Sequence, residues 1–210
     1  MTAGRESIGA IVLAGGRSSR FGRDKLVEPI DGRPLLHHAL AAVRALTADI
    51  VVVAAPGADL VLPNGVTIVH DDTPFEGPLV ALDAGLAASR VDRVIVVAGD
   101  MPTLVPAVLG RLLAAVGEDA AAAILGGDGP RAILPLALTV GPAKAAVRRL
   151  VDHGERRLGA LIDVLNMRVV PSAEWRLDDP DGRTLRDIDT PSDLGAGVYG
   201  ERADHTPDPR

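Results

Sequence analysis

The chain has 210 residues, enough to bury a sizeable core; 47% are hydrophobic but only 2% aromatic, so that core must come from Val, Ile, Leu and Ala. A net charge of −6 argues against nonspecific nucleic-acid binding, which needs a basic surface to neutralise phosphates, and the lack of cysteine excludes disulfides, thiolate zinc sites and thiol nucleophiles. No apolar run reaches the roughly 20 residues of a membrane span, and the run after the polar first nine residues is too short for a signal-peptide core, so a soluble, cytosolic protein is expected.

Short β-branched runs alternate with helical patterns. Residues 10–13 (AIVL) read as a buried strand ending at Gly15-Gly16. Leu36, Leu40, Val43 and Leu46 recur at helical spacing over 34–46, followed by a strand over 50–53 (IVVV) and a short one over 67–69. A helix over 78–88, a strand over 94–97 (VIVV) and a helix over 106–116 complete this half. Such alternation predicts an α/β fold: a doubly wound, mostly parallel sheet joined by right-handed crossovers. Ligands bind outside the carboxyl ends of the strands in such sheets, so the loops after Leu13, Val69 and Val97 are the ones to inspect. The second half predicts strands over 120–125 and 132–139 around the turn-rich segment 126–131, helices over 143–151 and 158–165, and an edge strand over 167–170. With no linker between independent units, residues 1–199 are expected to form one domain, followed by a polar, disordered tail over 200–210.

Three segments carry chemistry. The first runs Leu13-Ala14-Gly15-Gly16-Arg17-Ser18-Ser19-Arg20-Phe21-Gly22-Arg23-Asp24-Lys25. Two glycines at a strand end bring backbone N–H groups close to a ligand, and four cations (Arg17, Arg20, Arg23, Lys25) against one acid suit a triphosphate. The same composition also fits a solvated basic loop. It is neither a P-loop, since Gly22 is followed by Arg-Asp-Lys, nor a GxGxxG fingerprint, and no acid ends the second strand, so a dehydrogenase is disfavoured. The second segment is Gly99-Asp100-Met101-Pro102, where Asp100 is either a turn cap or a Mg²⁺ ligand; magnesium prefers hard oxygens and needs no His or Cys. The third, His70-Asp71-Asp72-Thr73-Pro74-Phe75-Glu76-Gly77-Pro78, offers Asp71 and Asp72 as loop caps or ligand contacts; His70 has no triad partner in view and reads as structural.

In order and spacing, LAGGRSSRFGRDK, DDTPFEGPL, GDMP and DIDTPSDL (residues 187–194) resemble the MobA-like nucleotidyltransferases, and within them the molybdenum cofactor guanylyltransferases. The resemblance runs from Ile8 to Leu194 and includes the stretch His153-Gly154-Glu155-Arg156-Arg157. It implies a sheet of the nucleotide-diphospho-sugar transferase type and transfer of GMP from GTP to molybdopterin, with Mg²⁺ and release of pyrophosphate. It also implies that Leu13, Ala14 and Gly15 line the nucleotide, that Lys25 holds phosphates, that Asp71 contacts the nucleotide and that Asp100 binds Mg²⁺. Gly16 and Arg20 join the triphosphate set, with Asp189 a second metal candidate beside Asp187. Three departures keep other acceptors and bases open: Ala54 where the family often has Asn, Phe21 where it tends to have Met, and Asp187 where it often has Asn. The alternatives are a related cytidylyltransferase, a sugar-1-phosphate nucleotidyltransferase and a non-catalytic nucleotide-binding module.

Overall fold

The computed structural model describes residues 6–15, 24–70, 76–127, 132–190 and 193. Chain order begins with β1 (Ile8–Ala14), the hairpin strands β2 (Pro29–Ile30) and β3 (Arg33–Pro34), and α1 (Leu35–Arg44). Then come β4 (Ile50–Ala54), β5 (Val66–His70), α2 (Pro78–Ala88), β6 (Arg93–Ala98) and α3 (Pro106–Ala115). The second half holds β7 (Ala122–Leu125), β8 (Leu136–Thr139), α4 (Val140–Asp152), β9 (Met167–Val170) and the short α5 (Ser172–Trp175). The main sheet has seven strands in the order β5-β4-β1-β6-β8-β7-β9; only β8 runs against the others. No helix among the described residues is long and apolar enough to cross a membrane.

The expected doubly wound, mostly parallel sheet is present, and its layering follows from the two-residue period of a strand. Ala10, Val12, Ile50, Val52, Ile95 and Val97 pack on one face with Leu36, Leu40, Leu109 and Leu112 of α1 and α3. Their alternates Ile11, Val51, Val53, Val94 and Val96 pack on the other with Leu79, Leu82, Leu86 and Val147 of α2 and α4. Because both faces are covered, these strands read in sequence as unbroken apolar runs. The chain leaves β1 towards β4 and β5 on one side, then returns through α2 to β6 on the other. That reversal opens a crevice at the carboxyl end of β1.

Several elements differ from expectation: the strand expected over 132–139 covers only Leu136–Thr139 as β8, and α5 was not anticipated. The segment expected to be helical over 158–165 is a 3₁₀ turn, Leu158–Asp163: only Leu158 and Leu161 are buried, and a three-residue period satisfies that pair. Helix α4 begins at Val140, directly from β8, rather than at 143. The β2–β3 hairpin was not anticipated, although Asp31-Gly32, both at positive φ (49° and 77°), is the dipeptide that favours a two-residue hairpin turn. The tail expected to be disordered, 200–210, lies outside the described residues.

Candidate active site

Three carboxyl-edge segments converge. Strand β1 delivers Leu13 and Ala14, and Gly15 follows it; a Cβ on Gly15 would stand 3.4 Å from the Ala55 nitrogen, so the β1 and β4 loops run nearly in contact. Past β6, the Gly99 N–H donates to the Leu13 carbonyl (2.9 Å), and the turn swings Asp100 over the end of β1. A Cβ on Gly99 would lie 3.0 Å from Leu36 Cδ1 and 3.3 Å from Leu26 Cδ2, a close approach that fixes the height of this turn above the core. Lys25 opens a 3₁₀ turn capped by Asp24, whose carboxylate accepts from the Leu26 N–H at 3.0 Å; buried Leu26 anchors it.

The C-terminal segment is brought to the same place by polar clamps. Asp179, fully buried, accepts from the Arg183 and Thr184 N–H groups (3.0 and 2.7 Å). Thr184 Oγ1 accepts from the Val105 N–H (3.2 Å), and Thr103 Oγ1 donates to the Arg183 carbonyl (2.7 Å). The chain then reaches Ile188, whose N–H donates to the Asp100 carbonyl at 3.0 Å. Asp193 closes the motif, accepting from the Asp189 N–H, the Thr190 N–H and Thr190 Oγ1 at 3.0, 2.7 and 2.9 Å. Those bonds, Thr190 foremost, hold its carboxyl below the usual range.

At the junction the Lys25 ammonium lies 2.7 Å from Asp100 Oδ2 and 3.4 Å from Asp189 Oδ1, and donates to the Ile188 carbonyl at 2.6 Å. The pair is largely sheltered, with 15% and 21% side-chain exposure for Lys25 and Asp100. Asp187 sits close by with its carboxyl raised above its ordinary value, first by burial and then by the charges of Asp189 and Asp100. Leu13, Ala14, Gly15, Lys25 and Asp100 line a cavity of about 150 Å³ closed by Leu26, Pro78, Ala98 and Leu134. Two larger hollows, about 330 Å³ beside β9 and about 490 Å³ at the amino ends of the strands, lack Lys25 and Asp100. The carboxyl-edge rule and the charged groups both select the smaller one.

Of the expected site residues, Leu13, Ala14, Gly15, Lys25 and Asp100 meet around one cavity. Gly16, Arg20 and Asp71 lie outside the described residues, as do Arg17, Phe21, Arg23 and Asp72. His70 ends β5 as an exposed residue with Nδ1 3.3 Å from the Ala55 carbonyl, which ties two loops together. Ala54 closes β4 and is fully buried, so it offers no surface to a base; the partly exposed neighbour is Ala55. Sequence reasoning missed the Asp179–Thr184 clamp and the Ile188 carbonyl. The turn-rich run Asp178-Asp179-Pro180-Asp181-Gly182 was the available signal for the clamp.

The oxygens around Lys25 suit a divalent cation. Among the described residues no three acidic or histidine side chains form a ready-made metal site. One positive centre nevertheless already touches two carboxylates and a carbonyl, so the ammonium stands where a hard cation would find its oxygens. One or two carboxylates completed by substrate phosphates is a common way to hold Mg²⁺.

Residues 153–157 form a basic turn against the first turn of α2. The Arg156 carbonyl accepts from the Leu79 N–H (3.1 Å), and Arg156 Nη2 lies 3.6 Å from Glu76 Oε2. Glu155 organises the turn from within: Oε1 accepts from the N–H groups of Arg156 (2.8 Å) and Arg157 (2.9 Å) and from Arg157 Nε (3.2 Å), while Oε2 accepts from Arg157 Nη2 (3.0 Å). The Arg157 guanidinium is the main cause holding the Glu155 carboxyl down at about 2, against an ordinary 4.5. A depressed acid stabilises the folded form fully above its unfolded value and loses that contribution as pH falls through its folded value. Measured relative to the intrinsic rate at each pH, amide exchange at residues 156 and 157 should therefore stay slow in wild type at neutral pH and quicken as pH drops from about 4.5 towards about 2. Glu155→Ala should quicken it severalfold at neutral pH; unchanged exchange in that variant would show that the carboxylate does not hold the turn.

The sequence model of the MobA-like NTP transferase domain matches residues 10–169. A probable molybdenum cofactor guanylyltransferase of Chloroflexus aggregans is 35% identical over 192 residues, covering 88% of this chain and 90% of that one. Among solved structures, the molybdopterin-guanine dinucleotide biosynthesis protein A of Archaeoglobus fulgidus superposes with a TM-score of 0.74 at 22% identity, over 90% of this chain and 96% of that one. The 2-C-methyl-D-erythritol 4-phosphate cytidylyltransferase of Thermus thermophilus superposes with a TM-score of 0.66 at 18% identity, over 90% and 96%. With the model spanning most of the chain and a relative this similar along nearly its whole length, the chain belongs to the MobA-like NTP transferase family and is a nucleotidyltransferase.

Proposed function

We propose that the protein transfers GMP from GTP to the phosphate of molybdopterin in the cytosol and releases pyrophosphate. The observation that carries this reading is the Lys25–Asp100–Asp189 constellation beside Gly15, at the carboxyl edge of a nucleotidyltransferase sheet. A curated relative named as a probable molybdenum cofactor guanylyltransferase supports GTP and molybdopterin as substrates.

An oxygen of the acceptor phosphate attacks the α-phosphorus in line; the bond from that phosphorus to the β-phosphate's bridging oxygen breaks, and pyrophosphate leaves with the electron pair. No enzyme nucleophile is required, so catalysis rests on positioning and charge neutralisation. Leu13, Ala14 and Gly15 would seat the nucleoside end, with backbone N–H groups of Gly15 and Gly16 turned to phosphate. Lys25 and Arg20 would neutralise the triphosphate, and Asp71 would contact the nucleotide. Asp100, with Asp189, would hold Mg²⁺, which when bound supplies Lewis-acid charge to the phosphates. The Arg156-Arg157 turn, next to Pro78 of the cleft wall, would face the anionic acceptor.

Pyrophosphate release tests the assignment. GTP with molybdopterin should be turned over faster than CTP or ATP, and mannose- or glucose-1-phosphate should not replace molybdopterin. Faster release from CTP would transfer the reading to a cytidylyltransferase, and no release from any pair would leave a nucleotide-binding module. Burial decides what position 54 contributes. Ala54→Asn should lower stability by about 1–3 kcal/mol through an unsatisfied amide and leave the GTP-to-CTP affinity ratio within about twofold. A widened ratio measured by calorimetry would show that residue 54 reads the base after all.

A further inference from the structure

Lys25 has two demands on it that cannot be met at once. A triphosphate needs its ammonium on phosphate oxygens, yet in the structure that ammonium is engaged by Asp100 Oδ2 at 2.7 Å, the Ile188 carbonyl at 2.6 Å and Asp189 Oδ1 at 3.4 Å. These oxygens come from two segments, the turn after β6 and the C-terminal motif, themselves joined by the Ile188 N–H to the Asp100 carbonyl. A divalent cation drawn to the same oxygens meets a positive charge already in place. With side chains only 15% and 21% exposed at Lys25 and Asp100, water screens that repulsion weakly. The lysine stem has four rotatable carbons, so the ammonium can leave without moving the backbone.

We propose that Lys25 is a displaceable counter-ion: before nucleotide enters it occupies the Asp100 and Asp189 oxygens and weakens metal binding there, and it couples metal entry to nucleotide entry by moving onto the triphosphate. Between them, Lys25 offsets part of the repulsion of the Asp100 and Asp189 carboxylates until nucleotide enters. An arriving triphosphate offers the ammonium a denser set of oxygens, and the vacated carboxylates become available to the metal in the same event. By linkage, the factor by which nucleotide tightens metal binding equals the factor by which metal tightens nucleotide binding, and Lys25 sets part of that factor. The idea rests on the reading of Asp100 as a metal ligand.

The test titrates Mn²⁺ into the nucleotide-free protein, following unbound Mn²⁺ by electron paramagnetic resonance, in wild type and Lys25→Met. Methionine fills much of the same volume without charge. The variant should bind Mn²⁺ about tenfold or more tighter than wild type, the opposite of what loss of a supporting residue would do. With guanosine 5′-(α,β-methylene)triphosphate present, which cannot release pyrophosphate, and with its own chelation of Mn²⁺ subtracted, the two proteins should bind Mn²⁺ alike, so that the nucleotide-induced gain in Mn²⁺ affinity is smaller in Lys25→Met. Equal or weaker Mn²⁺ binding by the nucleotide-free variant overturns the proposal. Adding Asp100→Asn to Lys25→Met separates the two ideas. If Mn²⁺ binding survives that second change, the metal-ligand reading of Asp100 is what fails. Should Lys25→Met unfold, Lys25→Gln carries the same comparison, with circular dichroism as the check on fold.

Discussion

Asp100→Ala is expected to lower turnover about 100-fold or more with little change in fold. The side chain supplies a carboxylate oxygen to the positive centre between β6 and the C-terminal motif, and alanine supplies none. Removing one preorganised electrostatic contact to a transition state commonly costs two to three orders of magnitude, on the order of 10²–10³-fold. The backbone of the turn is held independently: the Gly99 N–H still reaches the Leu13 carbonyl, and the Asp100 carbonyl still accepts from Ile188. Lys25 also keeps the Ile188 carbonyl and Asp189. Steady-state pyrophosphate release and a thermal melt check both halves. Retention of more than about a tenth of wild-type activity would rule out an essential metal ligand at this position.

Gly77→Ala should be strongly damaging although it lies outside the charged cluster, through backbone strain and a steric clash together. Gly77 caps α2 at φ +113°, a conformation that costs an L-residue about 1–3 kcal/mol. Its missing Cβ would also stand 2.9 Å from both the Cβ and the carbonyl oxygen of Arg156. Backbone cannot swing aside as a side-chain tip does, so the 153–157 turn must shift or α2 must re-aim. Together the two effects predict a loss of about 2–4 kcal/mol and a Tm lower by roughly 5–15 °C. Acceptor KM should rise more than GTP affinity falls, because the displaced turn carries Arg156 and Arg157. Gly141→Ala is the control: nothing lies within 4 Å of the added Cβ, and alanine favours the helix there, so that Tm should hold or rise slightly. Equal melting of the two variants would show that the α2 entrance tolerates a side chain.

Much of this could be read from the chain because both layers of the sheet obey short-range rules. Runs such as Ile50-Val51-Val52-Val53 are β-branched and unbroken, which is what strands covered on both faces require, and Gly77-Pro78 marks the start of α2 to the residue. Asp100 was identifiable as a candidate since it follows the end of a buried strand by one glycine, and Lys25 since it closes a run of four cations inside a motif that resembles the family's. The 3₁₀ form of Leu158–Asp163 was not, because periods of 3.0 and 3.6 cannot be told apart over six residues.

By itself, then, the sequence determined the layer order, the family and which short segments carry charge, since these rest on local propensity and motif spacing. Tertiary structure alone decided that Asp189 and the Ile188 carbonyl, more than 160 positions along the chain from Lys25, share its ammonium with Asp100. It also decided that Ala54 is sealed inside the sheet. The meeting depends on the Asp179, Thr103 and Thr184 clamps that lay the C-terminal segment beside β6. No local pattern encodes a hydrogen bond between residues some 80 positions apart; it exists only once the hydrophobic faces have closed and excluded the water that would otherwise take each bond.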